Sequence, residues 1–339
     1  MRYLAYGLTL ESDARLPELA ELKTDRNARA DITVRLVEPP GVLPEVLDVV
    51  LTKAHDDGAP WIRIARTAWG YLISEAGIAD FAVDRRGREV VLCRAGPGVG
   101  ELTLRHALLD WVLALVLCLR GKQVLHASSI VTPDGLCAFA GPSGAGKSTL
   151  AASFIAAGYP VFCDDCLVVE QSAKAGCFEC TPAYPGLRLW DDSVEVLGLR
   201  NHVTQSVAGY MPKHRVVIED RANGLAAKRR PLARVYCLNR RPRAAGFDTP
   251  WVEPLEGKDA LMELVSRSWM CDPTDKTALV QRFRFFASLA KQVAIRKLHV
   301  PDDIALLPDV RRAVLADLAN EQGTSLDHSG QALPYEPRA

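Results

Sequence analysis

The sequence predicts an α/β protein preceded by a small, mostly β module, and three observations carry that expectation. From Gln123 onward, near-continuous apolar runs alternate with helical patterns. Up to about Gly98 there are only short strand-like segments, parted by Gly, Pro and Asp. Between an apolar strand and a helix stands a glycine-rich loop, "GPSGAGKS". The expected divisions are residues 1–98 for the β module, 99–319 for the α/β domain and 320–339 for a polar tail.

In the first part, "YLAYGLTL", "ADITVRLV", "PWIRIAR", "GYLISEA" and "IADFAVD" each read as a strand bounded by turn residues. The segment from Gly100 to Leu119 has apolar positions at helical spacing and ends in "RGK", where Gly121 suits a C-cap. Strands follow at "VLHASSIV" and "LCAFAG", a helix from Lys147 to about Ala157, and a strand over "YPVFCDDCLVV". Farther on, "HRVVIED", "LARVYCLN" and "QVAIRKLHV" read as strands. Helices are expected over "KDALMELVSRS", from about Lys276 to Ala290, and near "DVRRAVLADLA". Apolar strands of this kind belong to a sheet covered on both faces or curled around a core. The tail from Asn320 is polar, carries Gly and Pro, and is expected to be disordered; the basic stretch "NRRPRAAGFDTP" is expected to be a solvated surface loop.

Composition bounds the function. With 48% apolar residues in 339, the chain can fill a substantial core. Its 41 basic and 41 acidic residues cancel, so no global field draws it to nucleic acid or an anionic membrane. The greasiest run, "ALLDWVLALVLCL", is short for a membrane span and carries Asp110, so a buried helix is expected. No secretion signal opens the sequence, and a cytoplasmic protein is expected. Nine cysteines, an odd number, do not suggest a disulfide framework.

Gly141 to Ser148 satisfies every fixed position of G-x-x-x-x-G-K-[ST]. In such a loop Gly141, Ser143, Gly144, Ala145 and Gly146 turn backbone N–H groups toward phosphate. Lys147 reaches the β and γ phosphates, the Ser148 hydroxyl can hold Mg²⁺, and Thr149 continues into the helix. ATP and Mg²⁺ are the ligands this pattern implies, but kinases, ATPases and switches share it. About sixteen residues beyond Ser148 come Asp164 and Asp165, on what reads as a returning strand of the same sheet. Pointing to opposite sides of an extended backbone, one could serve the metal and the other take a proton from an attacking hydroxyl.

The run from "LHASSIV" through "GPSGAGKST" and "GYPVFCDDCLVVE" to "YPGLRLW" resembles the catalytic domain of the HPr serine kinase/phosphorylase family, in particular its divergent relatives, some of which belong to peptide-modification pathways. The resemblance covers about Leu102 to Leu318, and "YGLTLESDARLPEL" is similar to the opening of those relatives. It implies an HPr kinase/phosphoenolpyruvate carboxykinase-like P-loop fold. Lys147 and Ser148 would serve nucleotide and Mg²⁺, Asp164 would be the general base, and Asp165 would lie near the metal with Ser148. His126 would be the active-site histidine. Lys213 and Arg215, in "YMPKHRVVIED", are placed where they could supply transition-state charge, and Arg188 is a further site candidate. The HPr-specific enzymes carry Glu-x-Arg-Gly where this chain has "YPGLRLWDD", with Arg188 but no matching Glu, so HPr as acceptor and the phosphorylase reaction are not carried over. Asp191 and Asp192 are expected at a helix N-terminus.

Cys163, Cys166, Cys177 and Cys180 have spacing that could suit zinc, yet the first pair encloses the two acids in a strand. Thiols packed as small apolar groups are the expectation. The reading that results is an ATP- and Mg²⁺-dependent kinase with a hydroxyl acceptor, a Ser of a peptide or protein before a small molecule. The β module would contribute acceptor binding or assembly, and the chain is expected to be a homo-oligomer. The alternative is a regulatory module with slow ATPase activity.

Overall fold

The computed structural model describes residues 1–25, 29–37, 42–55, 57–174, 176–184, 186–208, 211–217, 228–241 and 249–320. The tail from 321 and most of the basic stretch, 242–248, lie outside the described residues.

The first strands are β1 (Arg2–Ala5), β2 (Leu8–Ser12), β3 (Ile32–Arg35), β4 (Val46–Ala54), β5 (Pro60–Thr67), β6 (Gly70–Glu75), β7 (Ala79–Asp84) and β8 (Glu89–Ala95). They form one eight-stranded sheet in the order β1-β2-β3-β8-β7-β6-β5-β4. The β4–β8 run is a meander of antiparallel neighbours, as short turns between alternating strands require. The expectation of strands alone misses one feature: Pro17–Leu22 is a 3-10 turn whose Leu19 is fully buried.

Helix α1 (Glu101–Leu119) follows, widened by one π-type turn at Leu108–Val112. It is long and apolar enough to cross a membrane by composition, but here Leu108, Leu109 and every residue from Val112 to Leu117 are packed in the interior. Burial of each such aliphatic side chain stabilises by about 1.5–3 kcal/mol. Gly121 closes the helix at φ 74°, a left-handed conformation that only glycine adopts without strain.

The second sheet is mixed. It contains β9 (Gln123–Leu125), β10 (Ala127–Thr132), β11 (Gly135–Ala140), β12 (Val161–Cys163), β13 (Leu167–Gln171) and β14 (Phe178–Thr181). Between β11 and β12 lies α2 (Lys147–Ser153). A separate three-stranded sheet holds β15 (Leu187–Trp190), β16 (Val203–Ala208) and β17 (Met211–Val216), with α3 (Asp191–Val196) after β15. Then come β18 (Arg230–Arg241), β19 (Trp251–Leu255), α4 (Gly257–Ser266), α5 (Lys276–Gln292), β20 (Ala294–Pro301) and α6 (Leu307–Asn320). The long β18 runs parallel to β11 and β20 and antiparallel to β14.

One apolar cluster runs from Tyr3, Ile62 and Phe81 through Leu113 and Leu117 to Val124, Phe162 and Phe178, so α1 is a shared wall between the two large sheets. A second cluster, with Phe139, Phe154, Tyr236 and Val314, seats α2 and α6 against β11 and β18.

Two expected strands are broken, and both breaks shape the cavity below. "VLHASSIV" is interrupted at His126: β9 pairs with β13, whereas β10 pairs with β11 and β12. "YPVFCDDCLVV" is interrupted at Asp164–Cys166. There Asp165 takes φ 62° and the Cys166 N–H donates to the Asp164 carbonyl at 2.8 Å, a three-residue turn. The two carboxylates are therefore not on opposite faces of an extended strand.

Candidate active site

The loop "GPSGAGKS" connects β11 to α2, and each glycine in it has a geometric reason. Gly144 and Gly146 have φ of 79° and 86°, and an added Cβ at either would project into open space, so backbone conformation alone demands glycine. At Gly141 a Cβ would lie 3.1 Å from the Ala145 Cβ and 3.4 Å from that of Leu238, so close packing is the reason there. Lys147 is buried, and its Nζ donates to the Pro142 carbonyl at 2.9 Å, folding the side chain back over the loop. Burial lowers the Lys147 ammonium from its ordinary pKa, and Asp165 and Asp164 oppose that shift.

A cavity of about 400 Å³ opens over this loop. Ser143, Gly144, Ala145, Gly146, Lys147, Ser148 and Thr149 form its floor, and His126, Asp165, Arg188 and Lys213 stand at its polar end. Gly141 underlies the floor without lining it. On the far side the wall is apolar, with Leu238, Val300, Ile304 and Leu307.

The two carboxylates have different surroundings. Asp164 is buried, and its Oδ1 accepts from Ser148 Oγ at 2.8 Å and from Ser128 Oγ at 2.5 Å, while Oδ2 accepts the Arg188 N–H at 2.9 Å. Burial, and then the neighbouring Asp165 charge, raises its pKa above the ordinary 3.8. Asp165 faces the cavity instead. His126 Nε2 lies 3.2 Å from its Oδ1, and Arg188 Nη2 donates to its Oδ2. Burial pushes its pKa up, but Arg188 and His126 outweigh burial and hold it well below the carboxylate range.

Arg188 is the hub. Its Nη2 also donates to Asp110 Oδ1 at 3.0 Å, and its Nη1 is 3.4 Å from His106 Nδ1. Burial drives the His106 pKa down to about 4, so at neutral pH its Nδ1 can accept. The lone acid in "ALLDWVLALVLCL" is thus explained: Asp110 and His106 sit four apart on one face of α1, where both meet Arg188. An isolated acid in an apolar helix was the available signal for that half-buried pair.

His126 is held at the strand break by backbone bonding to the segment after α4: its N–H donates to the Arg267 carbonyl at 2.8 Å, and the Trp269 N–H donates to Val124 at 2.9 Å. Among the other expected residues, Lys213 lies in the cavity with its ammonium 4.8 Å from the Trp190 ring centroid. Arg215 is not in the cavity. Its Nη2 donates to the Glu18 carbonyl at 3.0 Å and its side chain packs under Gly186. Asp191 and Asp192 open α3 as expected, and Asp192 also lines the cavity. Sequence reasoning missed Ser128, and it missed Arg240, which donates to the Gly144 carbonyl at 3.0 Å and pairs with Asp302. Ser128 sits two residues after His126, but the contact with Asp164 needs the pairing of β10 with β12.

The Ser148–Asp164 pair can be tested for Mg²⁺. Both ligating atoms are oxygens, as a hard cation prefers, and burial raises the Asp164 pKa, so a cation beside it would favour the ionised carboxylate. The residues fit. Cys163 faces Ser129 Oγ at 3.2 Å, Cys180 of β14 pairs with Val169 of β13, and among the described residues no His, Cys, Asp or Glu group is arranged to hold a metal through three of its members.

No family model matches this sequence, and no curated protein matches it. Among solved structures, the HPr(Ser) kinase/phosphatase from Coxiella burnetii aligns with 60% of this chain and 100% of its own, with a TM-score of 0.31 and 15% identity. At that score the likeness assigns neither activity nor site.

Proposed function

We propose that the chain is an ATP- and Mg²⁺-dependent phosphotransferase that moves the γ-phosphoryl group to a hydroxyl, a Ser of a peptide or protein. One observation carries the reading: a single cavity is lined by Lys147 and Ser148 on the phosphate loop and by a separately oriented Asp165–His126 pair, with the buried Asp164 bonded to Ser148. The division between the acids is the reverse of the one expected from sequence. Asp164, bonded to Ser148, belongs to the Mg²⁺ side with that hydroxyl. Asp165 belongs to the acceptor side.

Mg²⁺ held there would neutralise charge on the phosphate oxygens. Lys147 swings from the Pro142 carbonyl to the β and γ phosphates, and the loop N–H groups hold the remainder. The acceptor hydroxyl donates to the Asp165 carboxylate and attacks in line. The new O–P bond forms as the bond to the β-phosphate oxygen breaks, ADP departs, and the hydroxyl proton ends on Asp165. In a loose transition state the hydroxyl stays protonated until late, so a carboxylate of low basicity serves chiefly to orient it. His126 and Arg188 fix the Asp165 rotamer, and Lys213 adds positive potential at the same end.

The test is to incubate the purified chain with γ-labelled ATP and fractionated lysate, with Lys147→Ala as control. A labelled polypeptide that depends on Lys147 supports the reading. Label in a small molecule would replace the acceptor class, and label in inorganic phosphate alone would leave only a slow ATPase module.

A further inference from the structure

Beside the polar end of the cavity, His126 begins a run of aromatic rings that leads away onto the N-terminal sheet. Trp269 packs on His126 with centroids 5.9 Å apart, Trp111 on Trp269 at 4.6 Å, and Trp61 on Trp111 at 4.9 Å. His55 stacks on Trp61 at 6.0 Å. All three indoles pack on the core yet keep part of their surface in solvent, and His55 is exposed. The Trp269 Nε1 has no acceptor among the described residues, and Lys53 holds its ammonium 4.9 Å from the Trp111 centroid. The strip ends at Lys53 and His55, beside the C-terminal end of β4, the terminal strand of its sheet; the exposed Val46 stands opposite Thr67 at the other end of that strand.

Three indole rings left partly in water, in a row that starts at the cavity-lining His126, form a surface suited to an extended chain. The aromatic surface supplies side-chain selection. We propose that this strip, Trp269–Trp111–Trp61, docks the polypeptide that carries the acceptor hydroxyl and selects a large apolar or aromatic side chain on it. The inference rests on the kinase reading above. From His126 to Trp61 the path is at most about 15 Å, which an extended chain rising about 3.3 Å per residue covers in about four or five residues. The selected side chain therefore stands that far from the acceptor Ser. A second copy of this chain is the competing occupant, but continuity with His126, which contacts Asp165, favours the substrate.

The experiment uses the full chain, γ-labelled ATP and a positional-scanning library of peptides with one fixed Ser. Selection of an aromatic or large aliphatic residue four or five positions from Ser is expected. For the best peptide, Trp61→Ala raises KM about tenfold while kcat changes less than threefold, and Trp61→Phe restores the wild-type KM. Labelling without that preference, or a preference that survives Trp61→Ala, overturns the docking surface and leaves the kinase reading intact. No label in any peptide overturns the peptide-kinase reading and the surface with it. Dissociation of an oligomer by Trp61→Ala, with peptide KM unchanged, assigns the strip to a second copy and also overturns it.

Discussion

Replacing Asp165 by Asn separates the roles of the two adjacent acids. The substitution keeps the side-chain volume, and Asn tolerates the left-handed φ of 62° that Ala would take with strain, so the turn at Asp164–Cys166 persists. It removes one negative charge from the group Asp110–Arg188–Asp165. Loss of one partner of a buried ion pair costs about 3–5 kcal/mol when the other is stranded. Arg188 keeps Asp110 at 3.0 Å, so the stability loss falls below that range and the protein folds. Loss of a positioned base costs about 10²- to 10⁴-fold in rate. Phosphoryl transfer, read with γ-labelled ATP and any accepted substrate, should therefore fall by about that factor. Affinity for MgATP, read by calorimetry, should change by less than about threefold, because Asp165 makes no bond to Ser148. Asp164→Asn should do the converse and weaken Mg²⁺-dependent nucleotide binding. If Asp165→Asn retains transfer within about tenfold while Asp164→Asn abolishes it with MgATP binding intact, the reasoning is refuted.

Three further outcomes follow from the same geometry. The acid limb of MgATP binding should be governed by Asp164: its folded pKa is raised above 3.8, so it takes a proton first as pH falls, while the depressed Asp165 stays ionised. In stability the signs differ. Ionised Asp165 contributes stability above the ordinary carboxylate pKa, lost as pH falls through its lower folded value. Ionised Asp164 destabilises the apo-protein above its raised pKa, and that effect vanishes below the ordinary value. Mg²⁺ titrations between neutral and mildly acidic pH, with Asp164→Asn as control, measure the limb; a pH-independent affinity would contradict the assignment. Arg188→Lys should lose most transfer activity despite the conserved charge, because one ammonium cannot reproduce the planar fork that reaches Asp110 and Asp165 while facing His106. Kinetics and thermal melts check this. Gly146→Ala should cost about 1–2 kcal/mol from its left-handed backbone alone, since its Cβ would meet nothing within 4 Å. Denaturant melts that leave stability unchanged would remove that explanation.

By itself the sequence determined the features that depend on near neighbours in the chain. The strand "LCAFA", the loop "GPSGAGKS" and the helix after it are legible because their glycine conformations and helix start are local. The alternation of strands and helices from Gln123 was legible for the same reason, as was the helix that ends at Gly121. Only the tertiary structure decided which partners each acid meets. The break at His126 arises because β9 and β10 pair with different partners, and the turn at Asp165 is held by Arg188, itself fixed by Asp110 on a distant helix. An extended reading of "CDDC" put the two carboxylates on opposite faces, and one left-handed residue overturned it. Arg215, two residues beyond Lys213, was assigned by nearness in sequence and lies against Glu18 instead. Contacts across tens of residues set these positions, and their energies depend on burial and charge partners that no local pattern encodes.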